Sequence, residues 1–275
     1  MRLSLPPALL TFPHIDPFLF RLGPVGLSWY AFMYLIGFTA AYFILRYRFR
    51  HGTLAKFHAL DEVGLLTTYS FYGIILGGRL GYVFFYNFSY YLKHLAEIPA
   101  IWHGGMSFHG AVMGGALGMF LFARRQNIPA LYVFDAVALC VPIGLFFGRI
   151  GNFINGELYG RVTDVGWAMV FPRGGPLPRH PSQLYESFLE GVVLGILLYI
   201  VYRKKMRDGS IFACSILFYG CLRFFIEFFR EPDAQLGFIL GPLSMGQLLC
   251  IAMVIVGGAM LAWIYRSPSP DRLGA

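Results

Sequence analysis

The chain has 275 residues, of which 57% are hydrophobic, 18% aromatic and only 13% charged, with a net charge of +8 and a mean hydropathy of +0.61. Soluble domains carry about 25% charged residues, so a water-facing globular surface is excluded. The basic residues sit in short clusters between apolar runs, a pattern that marks membrane orientation rather than a nucleic-acid face.

In chain order, the opening stretch "MRLSLPPALLTFPHIDP" breaks at Pro6, Pro7 and Pro13 and lacks the apolar core of a signal peptide. Insertion is therefore expected to rely on the first span. A helix needs about 20 apolar residues to cross the hydrocarbon core. Seven stretches meet that need: roughly 25–45, 65–87, 105–123, 131–151, 182–202, 210–229 and 241–265. Arg79 interrupts the second; His109 and many glycines dilute the third. Between spans two and three, residues 88–104 alternate aromatic and polar groups, as an amphipathic arm lying along the interface would. Between spans four and five, residues 152–181 hold Pro172, Pro176, Pro178 and Pro181 with several glycines, suggesting a small folded cap too short to be a domain. The expected architecture is an all-α polytopic membrane protein: seven transmembrane helices with a periplasmic arm and cap, forming one domain over 1–275.

The clusters Arg46/Arg48/Arg50, Arg124/Arg125 and Arg203/Lys204/Lys205/Arg207 directly abut span ends. By the positive-inside rule they place the N-terminus outside and the C-terminus inside. Cys140, Cys214, Cys221 and Cys250 lie in apolar stretches with no paired spacing and read as packing residues.

A charge at mid-bilayer costs at least about 2.5–3.5 kcal/mol, so polar residues in spans need reasons. They gather toward the outer side. Arg149, Asn152, Asn155 and Glu157 end the fourth span, and His109 begins the third. Gln183, Glu186 and Glu190 form an i, i+3, i+7 stripe on the fifth, and Tyr219, Arg223, Glu227 and Arg230 share a face of the sixth. Bland readings exist for each. Arg223 and Glu227 are an i, i+4 pair that can neutralise itself. Glu186 or Glu190 can pair with Arg79, structural pairing being the favoured reading there. His109 alone reads as an interhelical histidine, and Tyr30 as an interfacial anchor. Together they suggest a polar chamber with at least two arginines beyond local need. A guanidinium matches a phosphate bidentately and stays charged when desolvated. An anionic lipid headgroup therefore fits. The amides of Asn152 and Asn155 can bind headgroup hydroxyls or fix the arginines; Glu157 and Glu227 can orient arginines or hold a hydroxyl.

Other chemistries fit less well. His103 and His109 lie about 120° apart around a helix and no H-E-x-x-H occurs, which disfavours a metal site. "GGMSFHG" departs from G-x-S-x-G, and the glycine-rich stretches lack a P-loop lysine and read as close-packing positions. Two alternatives remain: a transporter for an anionic solute, and another headgroup transferase.

The segment "GRIGNFINGELYG" resembles the signature G-R-x-G-N-F-x-N-x-E-x-x-G of the bacterial prolipoprotein diacylglyceryl transferases. Further similar stretches run in order along nearly the whole chain: "HIDP", "WYAFMYLIGF", "GGRLGYVFFYN", "GGMSFHGAVMG", "RHPSQLYES", "YGCLRFFIEFFREPDAQLG" and "SMGQ". The resemblance implies transfer of the diacylglyceryl group from phosphatidylglycerol to a lipobox cysteine of a preprolipoprotein, in the bacterial inner membrane and without cofactor or metal. It also implies that Arg149, Asn152, Glu157, Gly160, Tyr30, Tyr219 and Glu227 bind substrate and that His109 and Arg223 take part in catalysis. His109 is the first choice of base, with its ordinary pKa of about 6.5.

Overall fold

The computed structural model describes residues 10–13, 15–22, 25–231, 238–241 and 243–266. The expectations for the N-terminal stretch 1–9 and for the "PDAQLG" part of the sixth motif lie outside these residues. The chain is mostly helical. In order come β1 (Leu10–Thr11), β2 (Phe18–Leu22), β3 (Val25–Ser28), α1 (Trp29–Arg50), α2 (Asp61–Phe85), α3 (Phe88–Tyr91), α4 (Phe108–Gln126), α5 (Ala130–Ala138) and α6 (Val141–Ile154). There follow β4 (Met169–Val170), α7 (Ser182–Glu186), a π-helical segment (Ser187–Val193), α8 (Leu194–Arg203), α9 (Ser210–Ile226), β5 (Phe238–Leu240), β6 (Leu243–Ser244) and α10 (Met245–Arg266).

Helix occurs in each of the seven apolar stretches, although 25–28 and 243–244 are strand and the fourth stretch is broken between α5 and α6. By length and composition, three uninterrupted helices can cross a membrane: α1, the continuous Ser182–Arg203 helix and α10. A fourth is added if α5 and α6 form one broken span. Pro142 at the start of α6 explains the break, since it cannot donate back into the preceding turn. The all-α expectation needs one amendment. Three two-stranded pairings occur among the described residues: β1 with β4 in parallel, and β2 with β3 and β5 with β6 antiparallel.

The chain divides into two compact units. Residues 42–137 form one. Its spine is the packing of α2 on α4 along facing glycines. A Cβ on Gly77 would stand 2.7 Å from the Gly114 Cα, and one on Gly110 would stand 3.0 Å from the Gly81 Cα. Glycine spacing of four on both helices brings backbone against backbone, the close approach that small residues allow in lipid. Val63, Leu66, Phe122 and Val133 form its buried apolar core, with the Phe57 ring tilted against Phe122 at 5.7 Å.

Arg79 lies in this unit, and its partners are not the glutamates expected from the sequence. Its Nε donates to the Ile98 carbonyl at 2.6 Å. Nη1 donates to Gly104 at 2.6 Å and Gly105 at 3.1 Å, and Nη2 to Glu97 O at 2.7 Å. The guanidinium stands over the Tyr91 ring at 5.1 Å. One buried side chain thus stitches the 97–105 connection to α2 through four hydrogen bonds to fixed carbonyls.

The other unit comprises residues 1–41 and 138–275. Leu194, Leu198, Val201 and Cys214 form a core cluster, packed by Leu145 and Phe218 among others. Phe171 is fully buried against Phe12 at 5.3 Å and Tyr159 at 5.6 Å. Backbone bridges join Gly160 to Arg230 and Val162 to Arg179.

Candidate active site

The polar end of α6 is a helix terminus satisfied by its own backbone. The Gly156 N–H donates to Phe153 O at 2.9 Å and the Glu157 N–H to Asn152 O at 3.1 Å. Gly156 takes φ +63°. That is a Schellman closure, in which a left-handed residue, most readily glycine, turns the chain back over the last carbonyls. The closure folds Glu157 back toward α6, where its Oε1 accepts from Asn152 Nδ2 at 2.9 Å and Asn155 Nδ2 at 3.3 Å. Leu158 follows with φ 58°, an uncommon conformation for a side-chain-bearing residue. The first turn of α7 holds this loop: Gln183 Nε2 donates to Glu157 O at 2.7 Å and Ser182 Oγ to Leu158 O at 3.1 Å.

Arg149 lies one turn before Asn152 and reaches the 182–203 helix. Its Nη1 is 2.8 Å from Glu186 Oε2 and its Nε 3.1 Å from Glu190 Oε2. Arg223 of α9 meets the same carboxylates, at 3.1 Å from Glu186 Oε2 and 3.4 Å from Glu190 Oε1. It also forms a short ion pair with Glu227. Glu186 and Glu190 are fully buried. Neither Glu186 oxygen has an aligned hydrogen bond, and it is Oε2 that meets both guanidiniums, whereas Glu190 accepts properly oriented donors from both arginines. Glu190 sits within the π-helical segment, whose wider turn seats Gly191 against Phe146, where a Cβ would stand 2.6 Å from the Phe146 Cβ. Tyr219 lies within electrostatic range of both arginines and both glutamates.

A third element braces Glu227. Ser244 Oγ donates to Glu227 Oε2 at 3.0 Å and accepts from Gln247 N at 3.2 Å, while Gln247 Oε1 accepts from Ser244 N at 3.0 Å. The "SMGQ" stretch is therefore a capping box that starts α10. Gly246 leaves room for the carboxylate: a Cβ there would stand 2.6 Å from Glu227 Cδ. Glu227 thus lies at a helix N-terminus, where a negative charge is favoured.

Tyr30, in the first turn of α1, is 3.1 Å from the Tyr34 hydroxyl and within electrostatic range of Glu157 and Arg149. Gly151 allows this approach; a Cβ there would lie 3.2 Å from the Tyr30 Cα. Gly160 is confined by backbone: a Cβ would stand 2.8 Å from His180 O and 2.7 Å from the His180 Cβ. His109 belongs to the 42–137 unit. It is exposed and helps line a cavity of about 270 Å³ with Phe85, Tyr86, Ser107, Gly110 and Met113.

The structure thus gathers Arg149, Arg223, Glu227 and Tyr219, with Tyr30, Asn152 and Glu157 nearby. The sequence overstated the free charge of this chamber. Three buried carboxylates face two guanidiniums, and Arg230 lies 3.9 Å from Glu227. Spacing along one helix could not assign Glu186 and Glu190 to partners on two others. The structural roles of Ser244, Gln247 and Gln183 were also missed. For the first two a signal existed in the S-x-x-Q pattern; for Gln183 only the stripe pointed inward. Among the described residues, no group of three His, Cys, Asp or Glu is placed to hold a metal ion.

Apolar helices that carry a compensated arginine cluster define a membrane protein built around a buried polar centre. Comparison with known sequences narrows that class. The family described as prolipoprotein diacylglyceryl transferase matches residues 17–263. A phosphatidylglycerol–prolipoprotein diacylglyceryl transferase of Geobacter sulfurreducens is 51% identical over 257 residues, covering 94% of this chain and 98% of the relative. Proteins of the same name from Photobacterium profundum (48% identical, 94% and 96% covered) and Coxiella burnetii (49%, 94% and 98%) are similar over comparable lengths. The chain belongs to the prolipoprotein diacylglyceryl transferase family.

Proposed function

We infer that this enzyme transfers the diacylglyceryl group of phosphatidylglycerol to the thiol of a lipobox cysteine in a preprolipoprotein, the first step of lipoprotein maturation. The observation that carries the reading is the convergence of Arg149 Nη1 and Arg223 Nη1, from separate helices, on one oxygen of Glu186. An oxygen held between two guanidiniums marks where a phosphodiester oxygen would lie. Because Glu186 has no aligned hydrogen bond, it is the carboxylate that such an oxygen displaces most readily. Glu190 and Glu227 keep the two guanidiniums in place meanwhile.

In the reaction the cysteine sulfur attacks the glyceryl carbon. A C–S bond forms, the carbon–oxygen bond to phosphate breaks, and its electron pair leaves on glycerol phosphate. Arg149 and Arg223 meet the charge that develops on that oxygen; preorganised donors of this kind act most strongly where water is excluded. The thiol, with a free pKa near 8.5, must lose its proton, and His109 is the proposed base on its chemistry. Tyr30, Tyr219, Asn152, Glu157 and Glu227 support the bound headgroup, and Gly160 permits the chain crossing that holds the loop. No cofactor takes part.

The whole chain serves as one domain of the bacterial inner membrane, with seven spans, the N-terminus outside and the C-terminus cytoplasmic. Residues 88–104, rich in exposed side chains such as Phe88, Leu92, Leu95 and Trp102, lie in the outer interface, and 152–181 form the outer cap.

The test is to incubate purified enzyme with phosphatidylglycerol and a lipobox peptide and to look by mass spectrometry for the cysteine adduct. Cys→Ser in the peptide should abolish it. Arg149→Ala should lower the rate by roughly 100-fold or more, as loss of one oxyanion donor does. Full activity in that variant would remove the arginine assignment. Most turnover surviving in His109→Gln across pH 6–9 would remove the base.

A further inference from the structure

Two buried acceptors, on side chains that both contact Glu157, have no donor. Gln183 is fully buried, and its Oε1 has no hydrogen-bond partner; neither does the buried Oδ1 of Asn155. An unsatisfied buried acceptor costs about 1–3 kcal/mol, so a pair at one site calls for an explanation.

The orientation of both amides is fixed by Glu157. Gln183 Nε2 donates to its backbone oxygen at 2.7 Å, and reversing the amide would set two acceptors against each other. Asn155 Nδ2 donates to its Oε1 at 3.3 Å, and a reversal there would oppose a carbonyl to a carboxylate. The amide N–H groups used on Glu157 are therefore committed to holding the loop. What each side chain leaves without a partner is a neutral carbonyl oxygen. The sequence left open whether the Asn155 amide binds hydroxyls or fixes other side chains; the structure divides the two tasks between its two ends.

We propose that the Asn155 and Gln183 carbonyl oxygens accept hydrogen bonds from the two hydroxyls of the phospholipid headgroup, and so select a polyol ester over other phosphodiesters. The proposal rests on the transferase reading above. A phosphodiester carries no donor of its own, so Arg149 and Arg223 recognise charge while the two amides recognise the group beyond it. Neutral acceptors suit neutral hydroxyls. A site built to hydrogen-bond a hydroxyl also rejects the analogue that lacks it, because its polar atoms are left unpaired in the complex.

The experiment compares phosphatidylglycerol with phosphatidylpropanol, which has the same phosphate and no headgroup hydroxyl, as donors to the lipobox peptide. Wild-type enzyme should favour phosphatidylglycerol by roughly 100-fold in kcat/KM or more. Gln183→Met and Asn155→Leu should each reduce that ratio at least about tenfold, by slowing phosphatidylglycerol far more than phosphatidylpropanol. Equal use of both lipids by wild-type enzyme would overturn the proposal, leaving the two oxygens to ordered water. So would variants that slow both lipids by one factor. The wild-type comparison can overturn the proposal even if a variant does not fold. Absence of any cysteine adduct with phosphatidylglycerol would instead overturn the transferase reading itself.

Discussion

Arginine is buried in both units of the molecule, by opposite means. In the 42–137 unit, Arg79 gives its donors to four backbone carbonyls within residues 97–105. Those acceptors are fixed and cannot be exchanged for a ligand without unfolding the connection. In the other unit, Arg149 and Arg223 face side-chain carboxylates, and one of these, Glu186, is held by charge alone. Carbonyl caging makes an arginine a structural rivet. Carboxylate sharing keeps it charged, oriented and available. Burial by itself therefore does not mark function; the kind of acceptor does.

The comparison can be broken most severely at the glycine seam that carries Arg79. Gly77→Leu would drive a side chain into the Gly114 backbone. The expected result is loss of folded enzyme, read as absent monodisperse protein in detergent, since overpacking against backbone has no flexible neighbour to yield. Next in size is Arg79→Lys, which keeps the charge and loses the fork. We expect a loss of about 3 kcal/mol, visible as a lower Tm and rapid proteolysis within 97–105, with substrate discrimination intact. Altered lipid preference in this variant would erase the distinction between the two arginine classes.

Ser244→Ala removes the α10 cap and the donor to Glu227. A loss of about 1 kcal/mol is expected from the cap, together with slower turnover as Glu227 loosens its hold on Arg223. The smallest effect concerns pH. Burial lowers the pKa of His180, which lies 3.2 Å from the Tyr185 hydroxyl. A histidine with a depressed folded pKa binds fewer protons when native. Its contribution is complete above about pH 6.5 and falls as pH drops below that value toward the folded pKa. Hydrogen exchange at Gly160 and Arg161 should quicken over that window in the wild type and stay flat in His180→Gln.

Much of the fold was legible because each apolar stretch is long and punctuated: the basic clusters fall at the C-terminal ends of α1, α4 and α8, and the proline-rich 172–181 run falls between α6 and α7. The gathering of Arg149, Arg223 and Glu227 was legible because charge in an apolar helix has few innocent explanations. Pairing was not. The Glu186 and Glu190 stripe looked compatible with Arg79, yet those carboxylates meet arginines 37 or 33 and 37 or 41 positions away. Helical periodicity says which face a residue occupies and nothing about which helix will face it. The short pairings β1–β4, β2–β3 and β5–β6 were missed for a related reason: segments of two to five residues carry too little alternation to register.

The wide turn at Ser187–Val193 has one more consequence. It holds an extra residue relative to an ordinary helix, so α7 and α8 are offset in phase within a single rod. Shortening that stretch by one position would leave hydropathy, charge and length almost untouched while rotating Gln183 and Glu186 away from the face they share with the arginines. A homologue lacking that single residue would pass as the same membrane protein by every bulk measure and still be mistimed at its centre, like a key cut one notch out of step.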